Sequence, residues 1–272
     1  MNDRQKYLAS YLPVAAALFS CATAAFAAAP SLGTVSGFAV LGGSAVTCTS
    51  GVVAGDAGVS PGSAFTNTGC TYAGATPPAT TPFAATARAD FLTAYAGLQA
   101  QSASCTYKLG TTLAGENLAP GVYCLDAVAK TGVLTLTGPA DGVWVFLVNG
   151  ALTGTNFSVA MTGGGQPCNV FWAPSAAATL TTSALKGNIL AGDSINGSIT
   201  LTGGTMGGRA LAAVAVTMTD ASIVGCGVLT ASSLPGSVVS VPGPVAPPAT
   251  CTDDEHEGRY EANEHRHMQM HM

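Results

Sequence analysis

Charged side chains are scarce in this 272-residue chain. Only 8% of its residues are Asp, Glu, Lys or Arg, against about 25% in an ordinary soluble domain. The formal net charge of −5 comes largely from the C-terminal end, where acidic residues crowd between Asp253 and Glu264. The rest of the chain is nearly neutral and has no basic surface to neutralise a row of phosphates. We therefore expect no nucleic-acid partner.

Histidine is also missing from most of the chain, since all four histidines lie between His256 and His271. The acidic residues outside that end are scattered and stand mostly beside Gly or other small residues, as in turns. General acid–base chemistry needs such groups clustered. We therefore expect no catalysis, no cofactor and no metal site, and an enzyme that cleaves polysaccharides is the weaker alternative.

Long apolar runs are absent after the N-terminal end. Residues 1–29 have the form of a secretory signal peptide, with Arg4 and Lys6 before an apolar stretch and Ala25-Phe26-Ala27 as a small-x-small cleavage site. The apolar stretch is too short to span a bilayer. We expect a secreted, extracellular protein with no membrane association once the signal is removed.

Secretion gives the cysteines a structural role, because disulfides form in oxidising compartments. Several connectivities are open to them, and the preferred ones each close one loop of chain. The preferred pairs are Cys48–Cys70, Cys105–Cys124 and Cys168–Cys226, which leaves Cys251 over.

A repeat runs through the segment from Cys168 to Leu229. Short β-prone runs broken by glycine recur about every 17 to 21 residues, the length of one solenoid coil. Equivalent places in the three passes are held by Thr179, Thr200 and Thr217, and by Gly187, Gly208 and Gly225. The pattern predicts strands stacked coil upon coil in a domain over residues 30–230.

Two segments between the N-terminal end and these repeats differ from them. Residues 83–101 are rich in Ala, with Phe91, Leu92, Tyr95 and Leu98 at helical spacing, which predicts one α-helix. The preceding residues 62–82 are predicted to form a polar loop.

The end of the chain has two compositions. Residues 231–251 form a Pro-rich linker, and residues 252–272 form a charged tail rich in His and Met, expected to be disordered. Alternating His and Met could hold copper, although a solvated tail is the favoured interpretation.

Several motifs in fixed order resemble the microbial secreted ice-binding (antifreeze) protein family over about residues 32–229. They are Leu32-Gly33-Thr34, Phe38-Ala39-Val40-Leu41, Gly55 to Gly62, Leu118 to Tyr123, Cys168 to Trp172, Gly187 to Ala191 and Gly208 to Ala212. The resemblance implies a mainly β fold: a β-solenoid of triangular cross-section with one long α-helix packed alongside. It also implies that the N-terminal strands join the later ones.

The resemblance further implies adsorption to ice through a flat Thr-rich face, with inhibition of ice growth and recrystallisation. The family repeat, Thr–Ala/Gly–any–Thr/Asn, matches at Thr153–Asn156 and Thr202–Thr205 and keeps its first Thr at Thr181 and Thr219. The ice-binding candidates are Thr153, Thr155, Asn156, Thr181, Ser183, Thr202, Thr205, Thr219 and Ser222. The expected partner of a monomer is the ice surface. An extracellular adhesive or scaffolding module with the same fold is the alternative.

A threonine ladder on stacked strands suits such a surface on physical grounds. Alternate residues of a strand share a face about 7 Å apart, and neighbouring strands lie about 4.8 Å apart, so the side chains form a grid. Branching at Cβ keeps χ1 stiff, which fixes the hydroxyl and methyl before binding. A purely structural role is the other interpretation, because Thr is simply a good strand residue.

Overall fold

A computed structural model describes residues 27–227 of the chain. Most of the expected signal peptide (residues 1–29), the expected linker (231–251) and the expected tail (252–272) lie outside the described residues. The described chain is mainly β-structure, with one α-helix, α1 (Thr81–Gln99), and three short 3-10 helices at Gly33–Gly37, Ala100–Ser104 and Pro167–Asn169. Within this part of the chain, no helix combines the length and apolar character needed to cross a membrane.

Short strands make up the rest of the fold. In chain order they are β1 (Phe38–Gly42), β2 (Ala45–Ala54), β3 (Asp56–Val59), β4 (Ala64–Tyr72), β5 (Thr106–Lys108), β6 (Asn117–Leu118), β7 (Gly121–Asp126), β8 (Lys130–Thr137), β9 (Trp144–Asn149), β10 (Leu152–Thr162), β11 (Val170–Pro174), β12 (Ala178–Thr181), β13 (Ala184–Lys186), β14 (Asn188–Ala191), β15 (Ile199–Thr202), β16 (Thr205–Gly207), β17 (Ala210–Ala212) and β18 (Ala215–Val224).

The strands form two parallel sheets, and each strand pairs with its counterpart in another pass of the chain. The first sheet has the order β3-β1-β17-β14-β11-β9-β7-β5. The second runs through β8, β10 and β18 and continues from β18 to β2 and β4. The N-terminal strands β1 and β2 thus lie beside β17 and β18. The expectation that the N-terminal strands join the later ones is confirmed.

Side chains that point inward from both sheets form one continuous core. Its centre is a stack of rings in which Phe146 lies 4.0 Å from Trp172 and 5.5 Å from Tyr123, centroid to centroid. Burying an apolar side chain of this size contributes about 1.5–3 kcal/mol. Strands such as β9 and β11 are buried on both sides, because their outward side chains lie under α1.

Helix α1 packs along the outer side of the first sheet. Its buried residues recur at spacings of three and four and are Ala84, Ala87, Phe91, Ala94 and Leu98. They meet outward-pointing sheet residues that include Val145, Phe171 and Leu211. The predicted helix is confirmed, with its bounds two residues earlier than expected. Of the predicted apolar stripe, Leu92 and Tyr95 are only half-buried at its margin, because small alanines let the helix approach closely.

One expectation about the chain path is wrong. Residues 62–82 are not all loop, since Ala64–Tyr72 forms β4, which pairs along its length with β2. The segment is polar because β4 is the last strand of its stack, so most of its side chains face solvent rather than core. The polar sequence of this segment therefore belongs to an end strand, and hydrophobic alternation does not detect such a strand.

Three disulfides connect parts of the described chain that lie far apart in sequence. They join Cys48 to Cys70, Cys105 to Cys124 and Cys168 to Cys226. These are the pairs preferred from the sequence. The first ties the end strand β4 to β2, and the third ties the end of the described chain to the segment before β11.

Candidate functional site

Two columns of threonine cross six parallel strands on the outer side of the second sheet. In the first column Thr153 pairs with Thr179, and the register continues in order through Thr200, Thr217, Thr47 and Thr66. In the second, two residues further along each strand, the order is Thr155, Thr181, Thr202, Thr219, Thr49 and Thr68. We call these twelve residues the threonine face.

Alternation along each strand places these threonines outside and apolar residues inside. The residue between the two threonines points into the core on most strands, as Leu180, Leu201 and Met218 do. All twelve threonines are exposed or half-buried. No side-chain hydrogen bond that the structure forms within residues 27–227 uses any of their twelve hydroxyls. These hydroxyls are therefore free to bind water or another ordered layer.

Small side chains extend the threonine face on the side where the strands begin. The position two residues before the first column is in register on three strands as Ala215, Ala45 and Ala64. On the other three strands this position is held by Ala151, Ala177 and Ser198. None of these positions carries a charge or a bulky group. The surface is therefore even in height and holds no charge within its columns.

A sharp corner ends the threonine face on its other side. The residue after each threonine of the second column has a positive φ, in the left-handed region: Asn156 49°, Thr182 46°, Gly203 65°, Asp220 52°, Ser50 51° and Gly69 86°. Gly, Asn and Asp adopt this conformation at the least cost. The hydroxyl of Thr182 donates a hydrogen bond of 2.6 Å to the Asn156 side-chain oxygen, which ties two neighbouring corner residues together.

Beyond the corner the second sheet continues as a second face of different character, formed by β8, β13, β16 and the later halves of β10, β18 and β2. Outward positions there include Val133, Thr205 and Val52, and a cation, Lys186. Hydroxyls on this face are partly engaged, since the Thr137 hydroxyl lies 2.7 Å from both the Asn117 side-chain oxygen and the Thr162 hydroxyl. Free hydroxyls and uncharged columns together distinguish the threonine face from this second face.

The nine candidates from the sequence fall in four different places. Five lie on the threonine face: Thr153, Thr155, Thr181, Thr202 and Thr219. Asn156 lies at the corner. Thr205 and Ser222 pair with each other on the second face, one step past the corner.

Ser183 is the candidate that the structure does not place on the surface. It is only 4% exposed, and its hydroxyl accepts from the Phe157 amide and donates to the Thr181 carbonyl. Its side chain points inward because the corner at Thr182 reverses the alternation. The expected surface role of Ser183 is therefore corrected to an internal one.

Sequence reasoning missed seven members of the threonine face. Thr179, Thr200 and Thr217 were recognised as equivalent in the repeat but not as surface candidates. Thr47, Thr49, Thr66 and Thr68 lie on β2 and β4, which stack on β18 although they are far away in the chain. The Thr-x-Thr spacing on each strand was the available signal.

The buried cations point into the fold rather than onto the threonine face. Arg209 donates to the Ser36 carbonyl, to the Cys226 carbonyl and to the Asn188 side-chain oxygen, and burial lowers its pKa to about 10. Burial also lowers the pKa of Lys130, which donates to the Thr111 carbonyl at 3.0 Å. Both side chains donate to carbonyl oxygens of other segments of the chain, and their burial keeps them from contacting an outer ligand.

Within residues 27–227, no three residues among His, Cys, Asp and Glu come close enough together to hold a metal ion. The arrangement offers a flat, rigid, uncharged grid of hydroxyl and methyl groups. Such a grid suits binding to another extended surface rather than to a small ligand in a pocket.

Comparison with known proteins gives a consistent result. The family model described as "Ice-binding-like" matches residues 35–224. An ice-binding protein of Nostoc sp. is 40% identical over 189 residues, covering 66% of this chain and 68% of that protein. Ice-binding protein K3-B1 of Typhula ishikariensis is 30% identical over 206 residues, covering 67% and 85%.

Solved structures agree with the sequence comparison. The crystal structure of an ice-binding protein from the Antarctic ascomycete Antarctomyces psychrotrophicus matches with a TM-score of 0.63 and 32% identity, covering 75% of this chain and all of that one. The names of these relatives give no support to the alternative of an adhesive or scaffolding module.

Proposed function

The chain belongs to the ice-binding-like family, and from this premise we propose that it adsorbs to ice through the threonine face. The observation that carries the proposal is the register of the two six-residue threonine columns. Adsorption there would halt growth of the covered ice and prevent recrystallisation.

The physical support is the order of the grid before binding. Threonines recur about every 4.8 Å across the strands and about every 7 Å along them, and their χ1 angles are stiff. Binding therefore costs little side-chain entropy, which is a main cost of forming interfaces. Methyl groups order the adjoining water, and the free hydroxyls anchor it.

The finer shape of the fold belongs to the same proposal. The first sheet, the threonine face and the second face make three walls around one core, which supports a β-solenoid of triangular cross-section. Helix α1 covers the first wall, so the two walls of the second sheet remain open. Of these, the uncharged threonine face is the better surface for ice.

The remaining properties follow from the adsorbing role. We propose that the protein is secreted, acts as a monomer in dilute solution, binds no nucleic acid and catalyses no reaction. The three disulfides support an extracellular setting. The names of the family relatives given above support a role at ice rather than catalysis.

Ice recrystallisation inhibition tests the proposal, with crystal shape recorded on the oxidised protein. We expect small crystals that do not coarsen and that grow facets. The same protein, reduced and unfolded, serves as the control and should leave round crystals that coarsen freely. Round, coarsening crystals from a protein that circular dichroism shows to be folded would refute the proposed function.

A further inference from the structure

Strand β4 ends the threonine face with an unpaired edge. It spans nine residues, Ala64–Tyr72, and pairs on one side with β2. Within residues 27–227 no strand pairs with its other side. The Asn67 side chain bonds to the Cys70 amide and carbonyl, so the part of the edge before Gly69 is the part that presents free N–H and C=O groups to another strand.

The other ends of the sheets are protected. At β3, the Ala57 amide donates to the Ala75 carbonyl and the Ala57 carbonyl accepts from the Thr80 hydroxyl, so residues 73–80 cover that edge. At the far end of both sheets, Lys108 of β5 forms an ion pair of 2.8 Å with Glu116, which directly precedes the end strand β6 of the second sheet. Covering and charge are the devices that normally prevent edge pairing.

Strand β4 has neither device. Residues 62–76 contain no charged residue and no proline, and β4 holds Thr66 and Thr68 of the threonine face. Its own side chains close the end of the core, where the rings of Phe65 and Tyr72 lie 5.5 Å apart. A second strand could approach this edge without desolvating a charge.

The pattern of β4 is complementary to itself. In an antiparallel pair centred on Thr66, Ala64 of one copy lies opposite Thr68 of the other, and Thr66 lies opposite its own equivalent. The two copies are then related by a two-fold axis perpendicular to the sheet. Because residues directly opposite each other point to the same side of a sheet, both threonine faces lie on the same side of the joined sheet. A C2 contact of this kind closes on itself and stops at two copies.

We propose that two copies of this chain pair edge to edge along residues 64–68 of β4 and so join two six-strand threonine faces into one of twelve strands. Five paired residues bury much less than the roughly 1,000 Å² of a stable interface, so pairing is weak. The chain is a monomer when dilute and pairs when concentrated, as it would be on a surface. The pairing itself does not depend on ice, whereas the advantage of a larger ice-adsorbing face rests on the proposed function.

Sedimentation velocity across a concentration series tests the pairing in water. Thr66→Lys puts two like charges opposite each other at the centre of the contact, where Cβ atoms lie about 4.5–5.5 Å apart. Thr47→Lys is the matched control, with the same change in the same column but one strand inside the edge. We expect reversible dimers from the wild type and from Thr47→Lys, and only monomers from Thr66→Lys.

Cross-linking provides a second measurement that does not depend on the lysine variants. Cysteines that face each other at this distance can form a disulfide after a small shift. In a Cys251→Ser background, Thr66→Cys should form a disulfide-linked dimer under mild oxidation at least ten times faster than Thr47→Cys.

A wild type that stays monomeric at millimolar concentration, together with equal cross-linking of the two cysteine variants, would overturn the pairing. Neither measurement involves ice. A protein that does not pair but still inhibits recrystallisation would refute the pairing and leave the proposed function intact. A protein that pairs but does not inhibit recrystallisation would refute only the proposed function.

Discussion

Thr202 and Thr205 are three residues apart on the chain but lie on different faces of the molecule. Thr202 is in register with Thr181 and Thr219 on the threonine face, whereas Thr205 is in register with Ser222 past the corner. Gly203, with a φ of 65°, makes the turn between them. A motif of four consecutive residues therefore contributes to two surfaces.

Strand β2 should be as important for ice adsorption as the later strands. Thr49→Tyr places a large ring in the second threonine column and holds the neighbouring hydroxyls away from a flat surface. We expect about tenfold more protein to be needed for the same recrystallisation inhibition, equivalent to about 1.4 kcal/mol of binding.

Val52→Tyr is the matched control for this change, because it introduces the same ring three residues later on the exposed second face. It should leave the inhibition within about twofold of the wild type. Equal losses in both variants would show that adsorption is not confined to the threonine face.

Asp220 is the one charged residue of the corner, and we expect it to weaken adsorption. Its carboxylate holds a hydration shell beside Thr219, and we take about 0.2–1 kcal/mol, the range measured for exposed ion pairs, as the bound for its effect. Asp220→Asn removes the charge and keeps a side chain that tolerates the left-handed backbone. Thermal hysteresis should rise at equal concentration, by at most about fivefold in affinity.

Asp141→Asn provides the comparison for Asp220→Asn, since it removes an exposed acid from the loop between β8 and β9. We expect no change in hysteresis from it. An equal rise in both variants would point to net charge rather than to the position of Asp220.

Acid should destabilise the fold through Asp126. The pKa of Asp126 is lowered by hydrogen bonds from the amides of Gly110, the larger effect, and Val128, and by the charge of Lys130. A carboxyl with a lowered pKa stabilises the fold above its unfolded-state value, about 3.9, and loses that contribution as pH falls through the folded value.

Denaturant unfolding between pH 5 and pH 2, measured on the wild type and on Asp126→Asn, tests this linkage. The wild type should be the more stable at pH 5, and the difference should shrink towards pH 2. A difference that stays constant with pH would show that the contribution of Asp126 does not depend on the ionisation of its carboxyl group.

The helix should contribute to stability and not to adsorption. Phe91 is fully buried between α1 and the first sheet, so Phe91→Ala should lower the free energy of unfolding by about 3–5 kcal/mol. Phe83→Ala, on the same helix but 60% exposed, should cost less than about 0.5 kcal/mol. Recrystallisation inhibition per folded molecule should be unchanged in both, and a loss in Phe91→Ala would link α1 to the surface.

Local patterns in the sequence were enough to predict several parts of this fold. The helix followed from the spacing of Phe91 and Leu98, and the register of Thr179 with Thr200 followed from the repeat. Both depend on residues close together in the chain. The three disulfide pairs were preferred because each closes one loop.

The complete site could not be predicted in this way, because its register depends on distant segments. Thr47 lies beside Thr217, and no local pattern indicates that the chain returns to that strand. The corner could not be predicted for a different reason: its positions carry no common residue type, since they include Thr182, Gly203 and Asp220. The repeat implied by the family resemblance runs through this bend, so Ser183 was expected on the surface although its side chain lies inside.

Comparing Thr202→Tyr with Thr205→Tyr tests the central claim most directly. The two variants carry the same change in the same pass of the chain, and both should unfold at nearly the wild-type temperature. We predict that Thr202→Tyr loses crystal shaping and most recrystallisation inhibition while Thr205→Tyr retains them. Retention in Thr202→Tyr with loss in Thr205→Tyr would contradict the account and move the ice-adsorbing surface to the second face.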